Sequence, residues 1–292
     1  MKKHKICKIL LVILAIFLCV AFYELLGICV AYKKQPEVSN TTKKETKNGS
    51  WNECSENTER AVIIEKNPEA LLQRVRLIKN AKKEIILSTF AFQSDESGKL
   101  ILGALHDAAD RGVHIRLLVD GMESWIDMEG NPYFYGLSSH ENVEIKLYNK
   151  ANPLKPWKIM GRMHDKYLIA DGKRYILGGR NTYNYFLGDF PGHKNYDRDV
   201  LVVCDEPEKE NSVNQLLEYF ETIWEQEDGG YFHDNKKLAN RKSVKNAVLE
   251  LQNGYQKYFE ENKERICDTD YTDETFETEK IAFCLLYTSD AA

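Results

Sequence analysis

The chain has 292 residues, 43% hydrophobic and 29% charged, proportions that exclude a disordered or collagen-like chain and leave ample material for one large domain or two smaller ones. A net charge of −5 excludes a broadly basic polyanion binder. The seven cysteines form no C-x-x-C pair and no metal-ligand spacing, which excludes a disulfide framework and a zinc site without deciding the compartment.

Residues 1–34 form the first unit. Lys2, Lys3, Lys5 and Lys8 precede an uncharged run over 9–23, then Glu24, then a second apolar run over 25–32. Read as one span, 9–32 is long enough to cross a bilayer and predicts a single N-terminal transmembrane helix, a single-pass anchor in the cell membrane. A cleaved signal peptide is the alternative, although Cys29-Val-Ala31 is a poor cleavage site. Lysines flank the span on both sides, so charge does not set its orientation. Residues 35–60, rich in Lys, Thr, Asn, Ser and Glu without apolar periodicity, read as a polar linker.

From residue 61 the pattern alternates. A strand over 61–65 leads to a helix opened by an Asn67 cap and Pro68 in its first turn. The near-continuous apolar run over 84–92 fits a strand covered on both faces. A helix over 98–111, a strand over 114–120, a helical or irregular piece around Trp125 and a strand over 143–148 complete an α/β signature. Beyond a hairpin at 163–177 lie a strand over 199–204 and an amphipathic helix over 213–224. Residues 236–283 are charged and helical in pattern, and read as a connector.

The hairpin carries the chemistry. It reads RMHDKYLIADGKRYILGGRN over 162–181. Alternation within a strand from Met163 puts His164 and Lys166 on one side and Asp165 and Tyr167 on the other. Asp171-Gly172 is a hairpin turn signal, so Asp171 serves as a turn residue as readily as a chemical one. Gly178-Gly179 allows close approach to the backbone, and Asn181 follows just past the strand end. A lone His or Lys would be an ordinary strand or surface residue. The addition of Gly-Gly-x-Asn at a fixed offset makes the joint pattern specific.

His164-x-Lys166-x4-Asp171 followed by Gly-Gly-x-Asn181 resembles the HKD motif of the phospholipase D superfamily. The wider match over 61–227 is similar to one half of bacterial cardiolipin synthases of the C-type branch. It includes Phe92-Gln-Ser-Asp95, Ala109-Asp-Arg-Gly-Val113, Leu118-Val-Asp120, Tyr185-Phe186 and Tyr196-Asp-Arg-Asp199. The resemblance implies half of a phospholipase D-like α/β/α sandwich with a mixed central sheet, at 61–235. It also implies metal-free and cofactor-free transfer through a phosphohistidine. In that mechanism Lys166 and Asn181 stabilise transition-state charge and two imidazoles divide attack and proton transfer. By resemblance Asp197 orients the histidine of the other half, and Asp171 is structural. The candidate catalytic set is His164, Lys166, Asp171, Asn181 and Asp197; Gly179, Arg180 and Arg162 are the substrate-binding candidates.

The mechanism needs two such motifs, and no other histidine here has Lys at +2 with Asp at +7. The partner is therefore expected from a second HKD half or from a homodimer. Residues 284–292, reading CLLYTSDAA, look like an in-frame sequencing-adapter translation, so the natural chain is expected to continue past Phe283 as the connector to a missing second half. Residues 1–34 hold six lysines and one glutamate, leaving 34 basic and 44 acidic residues in the remainder. Nucleic acid is accordingly not an expected partner. Between 146 and 181, however, nine basic residues face two acidic ones, which suits a compact anionic headgroup such as that of phosphatidylglycerol. The loop over 151–160 mixes apolar side chains with lysines and could dip into a headgroup layer; Trp157 fits the core equally. A phosphodiesterase or nuclease, and an inactive headgroup-binding fragment, are the alternative functions.

Overall fold

The computed structural model describes residues 2–33, 59–150, 152, 154–204, 211–227, 229–233, 236–278 and 281. Most of the expected linker and all of 284–292 lie outside the described residues. Helix α1 spans Lys2–Lys33, and within it His4–Val30 is long and apolar enough to cross a membrane, most of its side chains exposed and residues near Gly27 resting on the domain.

The domain begins earlier than its sequence pattern suggests. Glu59 is buried, its Oε1 accepting from Ser212 N at 3.1 Å and Ser212 Oγ at 2.7 Å, and Arg60 opens β1 (Arg60–Ile64). There follow α2 (Asn67–Asn80), β2 (Glu84–Thr89), α3 (Glu96–Asp110), β3 (His114–Asp120), α4 (Gly121–Asp127), α5 (Pro132–Leu137) and β4 (Val143–Tyr148). A 3-10 turn at Pro156–Met160 precedes β5 (Tyr167–Ala170), β6 (Arg174–Gly178), β7 (Asp199–Val203), α6 (Ser212–Trp224) and β8 (Gly230–Tyr231). Last come α7 (Lys242–Glu261), α8 (Lys263–Cys267) and β9 (Phe276–Glu277). Lys66, not Asn67, is the N-cap of α2; the Asn67 side chain instead reaches the carbonyl of Asn195 at 2.9 Å.

The strands form one mixed sheet in the order β8-β4-β3-β2-β5-β6-β7-β1-β9, with β2, β3 and β4 parallel and the remaining pairs antiparallel. Side chains alternate between its faces. Ile85, Leu87, Ile115 and Leu117 enter one core with α2, α3, α5, α7 and α8, whereas Ile86, Leu118, Ile169 and Tyr175 enter a second core under α6, with Val213, Leu216 and Phe220. Helices on both faces of a mixed sheet give the α/β/α sandwich that the family resemblance implies.

Residues 236–278 do not form a free connector. Leu251, Tyr255, Phe259, Ile266 and Tyr271 are buried in the larger core, and β9 pairs with β1. The Arg76 guanidinium, buried on α2, stacks 3.9 Å from the Tyr271 ring centroid and donates to the carbonyls of Asp268 and Asp270 at 2.8 Å each. The helical periodicity in this stretch reflects packing against α3 and α5.

Leu251 is 1% exposed. Leu251→Ala is expected to lower the unfolding free energy of the domain by about 2–5 kcal/mol in a urea titration. A segment that merely tethers another half would leave the transition unmoved.

Candidate active site

The carboxyl ends of β2 and β3 meet the start of β5 and the end of β6 at one edge of the sheet, where ligands settle in open α/β sheets. Asp120, the last residue of β3 and 1% exposed, organises this edge. Its carboxylate accepts from Met122 N at 3.0 Å and Glu123 N at 3.2 Å, capping α4. It also accepts from Met163 N at 3.0 Å and Arg162 Nε at 2.9 Å. That capture draws residues 161–166 off the sheet, so β5 starts at Tyr167 rather than Met163.

His164 is exposed on this segment, and Lys166 is buried at 5%. The two meet around Phe90: the imidazole lies edge-on to that ring, centroids 4.7 Å apart, and the lysine Nζ is 5.4 Å from the ring centroid. Lys166 Nζ also donates to the His164 carbonyl. No hydrogen bond to either ring nitrogen of His164 is present among the described residues. Although the ring is exposed, partial desolvation by its neighbours, with the positive charges of Lys166 and Arg162, holds this imidazole below the usual histidine range. Burial likewise pulls the Lys166 ammonium down to about 8, against the opposing pull of Asp165 and Asp197. Asp165 accepts from Tyr219 Oη at 2.5 Å, which fastens the segment to α6.

Asn181 is 6% exposed and its Oδ1 accepts from Ala91 N at 3.2 Å, which ties the end of β6 to the turn after β2. Gly178 and Gly179 are indispensable for a steric reason. A Cβ on Gly179 would lie 2.0 Å from Asp197 Oδ2, and one on Gly178 would lie 2.0 Å from Asp199 Oδ1. Gly179 thus seats the Asp197 carboxylate within the electrostatic reach of Lys166. His164, Lys166, Asn181, Gly179 and Asp197 share one edge.

Three candidates take other roles. Asp171 sits at the far end of β5, with φ +55°, and accepts from the backbone N–H of Lys82, Lys83 and Glu84 at 2.8, 2.7 and 3.0 Å. It locks the hairpin turn to the start of β2 and cannot reach the His164 edge. Arg180 is 1% exposed and inward, donating to Asn67 Oδ1 and to the carbonyls of Ile64 and Glu65, with Asp199 Oδ2 at 3.2 Å. It is part of a buried Arg74–Asp199–Arg180 network. Arg162 stays at the edge, but its guanidinium is held by Asp120 and by Glu123 at 2.7 Å and stacks 4.9 Å from the Phe90 centroid. Trp157 is 44% exposed, outside the core. Phe90, Asp120 and the Asp165–Tyr219 pair complete the site. Asp120 ends a recognisable strand and lies in the Leu118-Val-Asp120 piece of the family match, although neither gives it a role; Phe90 carries no such signal.

The family model described as cardiolipin synthase, PLD-like domain matches residues 74–224. The chain belongs to the phospholipase D-like family. An uncharacterized protein of Helicobacter pylori J99 is 30% identical over 212 residues, 68% of this chain and 39% of that one. Cardiolipin synthase C of Escherichia coli K12 is 29% identical over 171 residues, 54% of this chain and 34% of that one. The chain thus spans roughly two fifths or less of these curated relatives. The solved phosphatidylserine synthase of Haemophilus influenzae Rd KW20 aligns at 17% identity with a TM-score of 0.48, over 76% of this chain and 48% of that one.

At neutral pH this edge holds a neutral imidazole beside a charged ammonium. A histidine of lowered pKa stays neutral to more acidic pH, and Lys166 loses its proton as pH rises through about 8. NMR titration of labelled protein is expected to show His164 titrating below the ordinary histidine value and Lys166 near 8. Asp171→Ala is expected to lower stability by about 1–3 kcal/mol without displacing the Lys166 resonance; a shift of that resonance would return Asp171 to the site.

Proposed function

We propose that the protein is a membrane-anchored phosphatidyltransferase half-site that forms cardiolipin from phosphatidylglycerol. The observation that carries this reading is the exposed imidazole of His164 beside the buried ammonium of Lys166, at an edge that also holds Asn181 and Asp197. A phosphodiester anion repels nucleophiles, and Lys166 with the Asn181 amide supplies positive charge and a donor where charge grows on the phosphoryl oxygens.

One of two imidazoles, His164 or a mate from a matching half, attacks phosphorus. The P–O bond to the departing glycerol breaks, and that alkoxide takes a proton from the other, protonated imidazole. The same imidazole then removes the proton from a hydroxyl of a second phosphatidylglycerol. The new oxygen attacks phosphorus, the N–P bond breaks, and cardiolipin and free histidine result. Asp197, seated on Gly179, is placed to orient the incoming imidazole of the mate. His164 itself lacks an orienting carboxylate among the described residues, which a mate would supply in return. The mate comes from a second motif, on a continuation of the chain or in a second copy.

Support for a lipid over a nucleic acid comes from the apolar helix His4–Val30 and from the acidic balance of the remaining chain. The exposed Leu154 and Trp157, in a loop that touches α1 through Tyr23 Oη and the Leu154 carbonyl at 2.7 Å, add to it.

With a second half supplied, the protein is expected to convert phosphatidylglycerol in liposomes to cardiolipin, and His164→Ala to reduce the rate by at least ~10³-fold. A strictly monomeric 292-residue sample is expected to be silent. Cleavage of DNA with the lipids untouched would replace this reading with a nuclease.

A further inference from the structure

A cavity of about 210 Å³ lies between α1 and the 149–162 loop, lined by Glu24, Lys150, Lys155, Pro156, Lys158 and Arg162 among others. Its walls are built. Asn149, at φ +46°, donates to the carbonyls of Lys158 and Gly161, folding the loop back on itself. On the other side α1 is seated closely, since a Cβ on Gly27 would lie 2.4 Å from Pro156 Cγ, and Tyr23 Oη donates to the Leu154 carbonyl. Lys150, Lys155, Lys158 and Arg162 line it with one carboxylate, Glu24; Arg162 is already paired with Asp120 and Glu123, whereas Lys150 and Lys155 have no ion pair among the described residues.

The position of the cavity relative to a bilayer follows from length. A helix of 32 residues is about 48 Å long at 1.5 Å per residue, against a hydrocarbon core of about 30 Å. About twenty residues counted from Ile9 fill that core, which places Glu24 about one turn inside its far boundary and Gly27 at that boundary. A loop carrying Lys155 and Lys158 can rest on residues 23–27 only there. The volume is small for a whole lipid and suits a headgroup. Arg162, on the cavity wall, is two residues from His164.

We propose that this cavity binds the phosphodiester headgroup of an anionic phospholipid at the junction of α1 and the domain, beside the segment that carries His164. The inference rests on the membrane-bound reading above and adds a second, non-reacting site to it. Lys150 and Lys155 hold the phosphate, and the acyl chains lie along α1.

The test uses the 292-residue chain in phosphatidylcholine vesicles containing a small fraction of phosphatidylglycerol with a photoactivatable headgroup. The protein is expected to float with the vesicles and to carry its label within 149–162. Lys150→Ala and Lys155→Ala are each expected to lower labelling about fivefold. Gly27→Leu, which separates α1 from Pro156, is expected to abolish labelling while both lysines remain. Free glycerol phosphate at equal phosphate concentration is expected not to compete. Failure to float overturns the membrane reading and this site with it. Flotation with labelling indifferent to the lysines overturns the site alone, and full competition by glycerol phosphate replaces the lipid with a soluble phosphate ester.

Discussion

An ammonium withdrawn from water is the constraint on which the rest of the site depends. Burying such a charge costs several kcal/mol unless neighbours replace its hydration. Around Lys166 the replacements are the His164 carbonyl, the face of Phe90, and the carboxylates Asp165 and Asp197. Each makes a further demand on the fold. Asp165 needs Tyr219 on α6, Asp197 needs a residue without Cβ at 179, and the chain before β5 must leave the sheet so that imidazole and ammonium can share one aromatic ring.

Asp120 meets the last demand. One carboxylate at the end of a parallel strand caps α4 and holds both Arg162 and the Met163 amide. The geometry of the His164 segment is therefore inherited from the rigid centre of the sheet. The second acidic centre, Asp199, does comparable work at depth: Arg74 and Arg180 converge on it within 2.9 and 3.2 Å, fixing the path by which β6 leaves the sheet toward Asn181. The glycine pair at the end of β6 makes room for two carboxylates, Gly178 for Asp199 and Gly179 for Asp197.

The alternation of strands and helices is legible from periodicity and the grouping of His164, Lys166 and Asn181 from the motif, whereas the mixed sheet and Asp197 come from the family resemblance. Nearness along the chain is not nearness in space for two of the candidates, and Asp171 takes the turn role that Asp171-Gly172 signals. A strand rises about 3.3 Å per residue, so the four residues of β5 carry Asp171 to the opposite edge from Lys166. Arg180 lies between two site residues, yet alternation turns it into the interior. The helical stretch after 236 looked like a connector because its charged face dominates the composition. Its apolar stripe, Val244, Ala247, Leu251, Tyr255 and Phe259, is what the core takes up. Phe90 had no signal, since one aromatic in an apolar strand reads as core.

The central claim is that His164, Lys166 and Asn181 hold a single phosphate. Inorganic phosphate titrated into protein labelled at histidine ring carbons, lysine Nζ and asparagine Nδ2 tests it directly by NMR. The account predicts that the three resonances move together along one saturation curve, with the Arg180 and Asp171 environments unmoved. Independent curves, or a phosphate response elsewhere while these three stay still, would contradict it.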